Sequence, residues 1–265
     1  MSKYVCCFLL ASTILVTPAI NAQRDAHPVP PFKMFDNLYY VGIDWVSAYV
    51  LKTSGGLIMI DTLYDNFADH TLKSIQELGM NPKDVKYVIV THGHNDHVGG
   101  VKSIQSATGA RVAMAEGDWV MSKLTRDIVV KDGDTIKLGD TTLKLYLTPG
   151  HTPGVTSIEF PVFDNGKEYK AFIFGGHGQN FSGVQTTQTY INSVKRVMTL
   201  AAGTQVPITN HPDPFQILQR GEKLAARKTG EPNPFVDPDG FTKWLNQLVT
   251  NAEKKLEDEK KAGRP

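Results

Sequence analysis

Cysteine is nearly absent. The 265 residues hold two, Cys6 and Cys7, and both lie in the first 22. That stretch reads as a secretory signal peptide (residues 1–22). Lys3 gives the positive start, Tyr4 to Val16 is an apolar run too short to span a bilayer comfortably, and Pro18 to Ala22 ends in a small residue, so cleavage is expected before Gln23. The two cysteines sit too early for a lipoprotein cleavage site. The mature chain, residues 23–265, then has no disulfide and no thiolate. An excess of either charge is also missing. Lys+Arg is 28 and Asp+Glu is 27, and loss of the leader leaves 27 of each. Neither nucleic acid nor an anionic membrane is an expected partner, and the destination is periplasmic or secreted. No Gly-x-Ser-x-Gly elbow occurs, so a serine triad has no support.

What the chain does have is histidine in one place. Thr91-His92-Gly93-His94-Asn95-Asp96-His97 follows the apolar run Val88-Ile89-Val90. Imidazole and carboxylate are ligands of divalent metals, zinc above all. Residues two apart do not share a helix face, so His92 and His94 suit a strand end turning into a loop, with Asp96 and His97 projecting from the same loop.

The hydrophobic content of 41% suffices for one full core over residues 23–265. A Pro-rich arm, His27 to Pro31, leads into strand-like runs at Leu38–Val41, Ser47–Lys52 and Leu57–Ile60, the last two joined by a Ser54-Gly55-Gly56 hairpin signal. Phe67, Leu72, Ile75 and Leu78 recur at helical spacing, and Val85–Val90 reads as a buried strand. Gly99-Gly100 is expected to turn the chain tightly ahead of a short helix over Val101–Ala107. Further strands are expected at Val112–Ala115, Ile128–Val130, Thr135–Leu138, Thr142–Leu147, Val155–Phe160, Tyr169–Phe174 and Val206–Ile208. Helices are expected over Glu116–Leu124, Thr189–Ala202, Phe215–Arg227 and Phe241–Lys255, with Asp258–Pro265 a frayed, charged tail. Strand-rich halves flanked by helices point to two packed sheets with helices outside, an α+β class.

His92-x-His94-x-Asp96-His97 resembles the first metal motif of the metallo-β-lactamase superfamily. Thr148-Pro149-Gly150-His151-Thr152-Pro153-Gly154 resembles its second motif, and Thr209-Asn210-His211-Pro212 its last. The resemblance runs from about Phe35 to His211 and implies a four-layer αβ/βα sandwich with the metals at one edge between the sheets. It implies two zinc ions, the first held by His92, His94 and His151, the second by Asp96, His97 and His211. A hydroxide held between them would attack the substrate, with Asp96 orienting it.

Many members carry an aspartate bridging both metals where this chain has His177, in Phe174-Gly175-Gly176-His177, and one branch uses a cysteine in the second site. The chain resembles most the third subclass of zinc β-lactamases, whose second site is Asp-His-His. That subclass places two serines here to hold the substrate carboxylate, whereas this chain has His177 and Gln179. The resemblance thus implies a hydrolase of small-molecule cyclic amides, β-lactams first, with lactones or other esters as the alternative, and a non-catalytic zinc protein as a rival. His177 and Gln179 are candidates for substrate contact, with Asn180 and Ser182 beside them. Trp45, Tyr49 and Trp119 are expected to be core rather than pocket. His70 and His27 are expected at the surface, and Lys223–Lys228 with Arg227 on a solvated helix face.

Overall fold

The computed structural model describes residues 25–263, so the expected signal peptide, both cysteines and the last two residues lie outside the described residues. Two sheets carry the chain. The first runs in order β1 (Phe32–Lys33), β2 (Leu38–Tyr40), β3 (Tyr49–Thr53), β4 (Gly56–Ile60), β5 (Val85–Ile89), β6 (Arg111–Ala115) and β7 (Ile128–Val130). The second holds β8 (Thr135–Leu138), β9 (Thr141–Leu147), β10 (Thr156–Asp164), β11 (Lys167–Phe174) and β12 (Val206–Thr209), with β12 at one edge beside β11. The helices are α1 (Ala68–Glu77), α2 (Asn95–Val98), α3 (Val101–Thr108), α4 (Glu116–Ser122), α5 (Val184–Leu200), α6 (Ile217–Ala225) and α7 (Pro238–Lys261).

The apolar runs Leu57–Ile60 in β4 and Val88–Val90 at the end of β5 are continuous because both faces of that sheet are covered there. Side chains alternate across a strand. Ile58, Ile60 and Ile89 therefore join the core between the sheets, while Leu57, Met59, Val88 and Val90 join a second core under α1 and α3. On the far side α5 and α7 pack Tyr190, Val194, Leu245 and Leu248 against Phe172 and Phe174. The result is the expected four-layer αβ/βα sandwich. Among the described residues no helix is long and apolar enough to cross a membrane.

Four local expectations need correction. Residues 95–98 form a one-turn helix rather than a plain loop. Gly99 and Gly100 have ordinary negative φ, −56° and −78°, so no turn demands them. A Cβ on Gly100 would instead collide with the Thr62 carbonyl, so the glycine is there for close approach. His70, on α1, is part-buried and bonded through Nε2 to the Gly42 carbonyl at 3.0 Å.

The tail is the fourth. α7 continues to Lys261, because Leu245, Leu248, Ala252, Leu256 and Glu259 keep a single buried stripe at helical spacing. Glu259 is 3% exposed. Its Oε1 accepts from Gly183 N at 3.1 Å and its Oε2 from the Thr187 hydroxyl at 2.6 Å. That carboxylate caps the start of α5, which begins at Val184 rather than Thr189. Glu259→Ala should cost about 2–3 kcal/mol, since a buried hydroxyl and a half-buried N–H lose a charged acceptor. Calorimetry should show the melting temperature falling by roughly 4–10 °C, and Glu259→Gln should recover part of the loss.

Candidate metal centre

Every histidine of the three motifs leaves the end of a strand or the short helix beyond it. β5 ends at Ile89, and the chain reaches His92 through Thr91. Asp61, directly after β4, holds that turn. Its backbone is left-handed (φ 60°), and its carboxylate accepts from Thr91 N at 2.7 Å and Thr91 Oγ1 at 2.8 Å. The same carboxylate takes His97 Nδ1 at 2.9 Å. His151 follows β9 through Gly150, whose φ of +139° and contact with Tyr190 suit glycine alone. His211 follows β12.

The ligand atoms gather into two groups. His92, His94 and His151 form one, and Asp96, His97 and His211 the other, each with its donor atoms within 4.8 Å of one another. The six residues expected from the sequence are therefore brought together in the expected division.

The hydrogen bonds behind the rings test whether a cation fits. Nδ1 of His92 meets the Gly175 carbonyl at 2.9 Å, Nδ1 of His151 the Gly178 carbonyl at 2.8 Å, and Nδ1 of His211 the Trp45 carbonyl at 2.8 Å. An oxygen acceptor at Nδ1 requires the proton there, which leaves Nε2 with a bare lone pair. Yet Nε2 of His92 and Nε2 of His151 stand 3.1 Å apart, and those of His97 and His211 stand 3.3 Å apart. Facing lone pairs repel unless a positive charge lies among them. The donor set therefore fits a divalent cation in each group.

The electrostatics agree for three of the ring ligands. Burial, reinforced by neighbouring histidines, holds His92 well below the ordinary imidazole range and lowers His151 and His211 to about 4, so all three are neutral ligands. Burial works against the charged form of His97 too, but Asp61 and Asp96 on either side raise it to about 10, so without a metal its Nε2 carries the proton that a cation in the second group would displace. Burial likewise opposes ionisation of Asp96, and His97 and His211 overcome it, so that carboxylate stays charged.

The remaining candidates divide. A cavity of about 940 Å³ opens over both groups, and its lining includes Trp45, Tyr64, His177, Asn180 and Asp213. Trp45 is thus pocket wall, with its ring 4.7 Å from that of His211. Tyr49 and Trp119 are core, bonded to the carbonyls of Thr209 and Ile128. His177 reaches the cavity but joins neither ligand group. Its ring lies edge-on to His211 and Trp244, and burial lowers it to about 3. Gln179 turns away from the site, donating to the Leu248 carbonyl at 2.9 Å. Ser182 does not line the cavity. Arg227 lies in another groove, in a bidentate pair with Asp164 at 2.8 Å, and cannot serve this site.

The loop 175–183 is an ordered wall. Gly175 and Gly178 receive ligand histidines, the Tyr190 hydroxyl donates to the His177 carbonyl at 2.6 Å, and α7 holds Gln179 and Gly183.

Two positioning residues carry no motif of their own. Asp61 is one. Asp118 is the other. It is fully buried on α4 and accepts from Gly93 N at 2.9 Å, Thr152 Oγ1 at 2.8 Å and Gly154 N at 3.0 Å. An acid at the end of an apolar strand is a usable signal for Asp61, whereas nothing local marks Asp118.

The arm ahead of β1 acts as a strap. Asp44 accepts from His27 N at 2.9 Å, its Oδ2 lies 3.1 Å from His27 Nδ1, and Asp44 N returns a bond to the His27 carbonyl at 3.0 Å. This fixes the turn whose next residue, Trp45, orients His211. Asp44→Ala should weaken metal binding at the second group about tenfold and spare the first, as loss of an outer partner does. Titration with Co²⁺, read by absorbance, separates the two.

Comparison with known proteins fits this geometry. Residues 42–162 match the profile of the Metallo-beta-lactamase superfamily. A hydroxyacylglutathione hydrolase of Cereibacter sphaeroides is 30% identical over 179 residues, covering 62% of this chain and 68% of that protein. This chain belongs to the metallo-β-lactamase superfamily. It is a metallohydrolase of that fold. Similar solved structures include the native FEZ-1 metallo-beta-lactamase of Legionella gormanii, 28% identical, with a TM-score of 0.82 over 88% of this chain and 98% of that one. Another is BJP-1 of Bradyrhizobium japonicum, described as a subclass B3 metallo-beta-lactamase. It is 31% identical, with a TM-score of 0.79 over 89% of this chain and 97% of that one.

Proposed function

We propose that this chain is an exported zinc hydrolase of β-lactams. The observation that carries the reading is the second ligand group. It is Asp96, His97 and His211, with no cysteine available and His177 where a bridging acid would stand. Similarity to FEZ-1 and BJP-1 along nearly their whole length supports it.

His92, His94 and His151 would hold one zinc, and Asp96, His97 and His211 the other, each group leaving room for a further ligand. When bound, the ions supply Lewis acidity and a nucleophile from water near neutral pH. The chain's own residues do the rest. Asp61 holds His97 in the tautomer that presents Nε2, and the carbonyls of Gly175, Gly178 and Trp45 do so for His92, His151 and His211. Asp96, kept ionised, is the one acceptor at the reacting edge of the second group and orients a water proton there. Asn180 and His177 offer polar contacts to the acyl group, while Trp45 and Tyr64 shield it from bulk water.

Thioester or lactone hydrolysis is the second reading. The similarity to hydroxyacylglutathione hydrolases favours it, as does a cavity wall with neither Lys nor Arg nor the two serines for a carboxylate. A panel decides: penicillins, a cephalosporin, a carbapenem, a γ-lactone and a glutathione thioester, each with zinc and after chelation. The expected result is chelator-sensitive β-lactam turnover. Turnover of the ester or thioester alone would move the assignment to the second reading.

A further inference from the structure

Two residues that line the cavity hold buried polar atoms with no fully formed partner, Nδ1 of His177 and Oδ1 of Asn210. Asn210 is almost wholly buried, and its amide can sit only one way round. Nδ2 donates to the Gly175 carbonyl at 2.7 Å and to the Thr91 hydroxyl at 3.3 Å. With the amide turned over, Oδ1 would face the Gly175 oxygen at that short distance, acceptor against acceptor. Oδ1 therefore points away from Gly175 and needs a donor.

His177 is that donor. It follows Gly175 closely in the same loop, and Asn210 is a hydrogen-bonding neighbour of its ring. A buried acceptor and a buried ring nitrogen without other partners settle on one another, and only a proton on Nδ1 lets them do so. Burial keeps the ring neutral. Divalent ions in the adjoining groups would act in the same direction, since they oppose a further positive charge. A neutral ring with its proton on Nδ1 carries a bare lone pair on Nε2. Nε2, unlike Nδ1, is open to the cavity and has no hydrogen bond among the described residues.

We propose that His177 is a specificity determinant whose Nε2 accepts a hydrogen bond from an N–H or O–H that the substrate carries beside the acyl bond that is cleaved. The proposal rests on the hydrolase reading for the place of that bond, but the tautomer and the binding chemistry are independent of turnover. A carboxylate on this wall would meet a lone pair, where serine hydroxyls would have donated to it. The acylamino N–H of a penicillin or cephalosporin, or the hydroxyl of an α-hydroxy thioester, supplies the donor that Nε2 takes. Asn210 is the positioning residue, since it fixes the proton on the inner nitrogen.

The test has two arms on the zinc-loaded mature chain. In the first, nitrogen NMR of labelled histidine rings reads the tautomer, with the His177 signals assigned by their loss in His177→Phe. The proton should sit on Nδ1, and Asn210→Leu should let it populate both nitrogens. A proton on Nε2 in the wild type overturns the proposal. A tautomer unmoved in N210L overturns the part given to Asn210.

The second arm titrates N-phenylacetylglycine and its N-methyl analogue, product-like ligands that differ at the amide N–H, by calorimetry. The N–H form should bind at least about fivefold more tightly, as a neutral hydrogen bond allows. That ratio should fall toward one in H177F, which keeps a ring and offers no acceptor. Equal affinity in the wild type, or a ratio untouched in H177F, overturns the acceptor. The same comparison is made in turnover with benzylpenicillin and its form methylated on the side-chain amide. A kcat/KM ratio above about three for the wild type, falling toward one in H177F, supports the acceptor during the reaction. Tighter binding of the N–H ligand with no acyl cleavage of any substrate would sink the hydrolase reading and leave the acceptor standing. Cleavage of both penicillins at equal rates, with indifferent ligand binding, would do the reverse.

Discussion

Asp96→Ala should bind one zinc per chain where the parent binds two, and its turnover should fall about a thousandfold. Asp96 is the only carboxylate of its group, and without it His97 and His211 offer a second cation two neutral nitrogens and no charge. Loss of a mere outer partner costs about 10–100-fold in metal affinity, so loss of a direct anionic ligand should exceed that. A thousandfold in rate is about 4 kcal/mol of barrier, within what one positioned divalent ion contributes. The first group contains no atom of Asp96, so its ion should stay. Native mass spectrometry gives the stoichiometry, and steady-state kinetics on the best substrate of the panel gives the rate. Two ions retained together with full turnover would remove Asp96 from the mechanism. Asp96→Asn, which keeps an oxygen but not the charge, should fall between.

The ligand set was legible in the sequence because its information is local. His92, His94, Asp96 and His97 lie within one loop and the turn after it, and His151 and His211 each sit directly behind an apolar run. Strands that end at a sheet edge deliver such residues to one place, and the resemblance of the three motifs to the metallo-β-lactamase superfamily divided them into two groups. The two-sheet architecture was legible for a similar reason: runs such as Leu57–Ile60 and Val88–Val90 are apolar on both faces, and only a covered sheet tolerates that.

What was not legible depends on contacts distant in sequence. Glu259 looks like one more charge in a polar tail until Gly183 and Thr187, more than seventy residues earlier, meet its carboxylate. Gln179 lies two residues from His177 in sequence but on the other side of the loop, where the Leu248 carbonyl takes its amide. A loop without periodicity gives no way to tell which side chain faces the metals. The same limit hid the strap, since His27 and Asp44 have no pattern that pairs them.

Asp118→Ala should be among the most damaging single changes outside the ligands. Its carboxylate is fully buried and ties the first histidine loop, through Gly93, to the second, through Thr152 and Gly154. Gly93 lies between His92 and His94, and Thr152 follows His151. One acid therefore sets the distance between the two loops that supply the whole first ligand group. Alanine would leave two backbone N–H groups and a hydroxyl buried without an acceptor. Each such orphan costs about 1–3 kcal/mol, and allowing for water entering the space, a total of about 4 kcal/mol is expected. For a chain of this size that corresponds to a melting temperature lower by roughly 10 °C. Gly154 packs directly on this acid, since a Cβ there would meet the Asp118 side chain and Asp118 N at 2.7 Å, so truncation at 118 removes the surface the second loop rests on. The loops should therefore drift rather than repack, and the affinity of the first group for zinc should fall with stability. Asn at 118 keeps one acceptor but turns an NH₂ toward a donor, so it should recover about half. If Asp118→Ala melted like the parent and still held its first zinc, the distance between the loops would have to be set by the ligands and the metal, not by this buried acid.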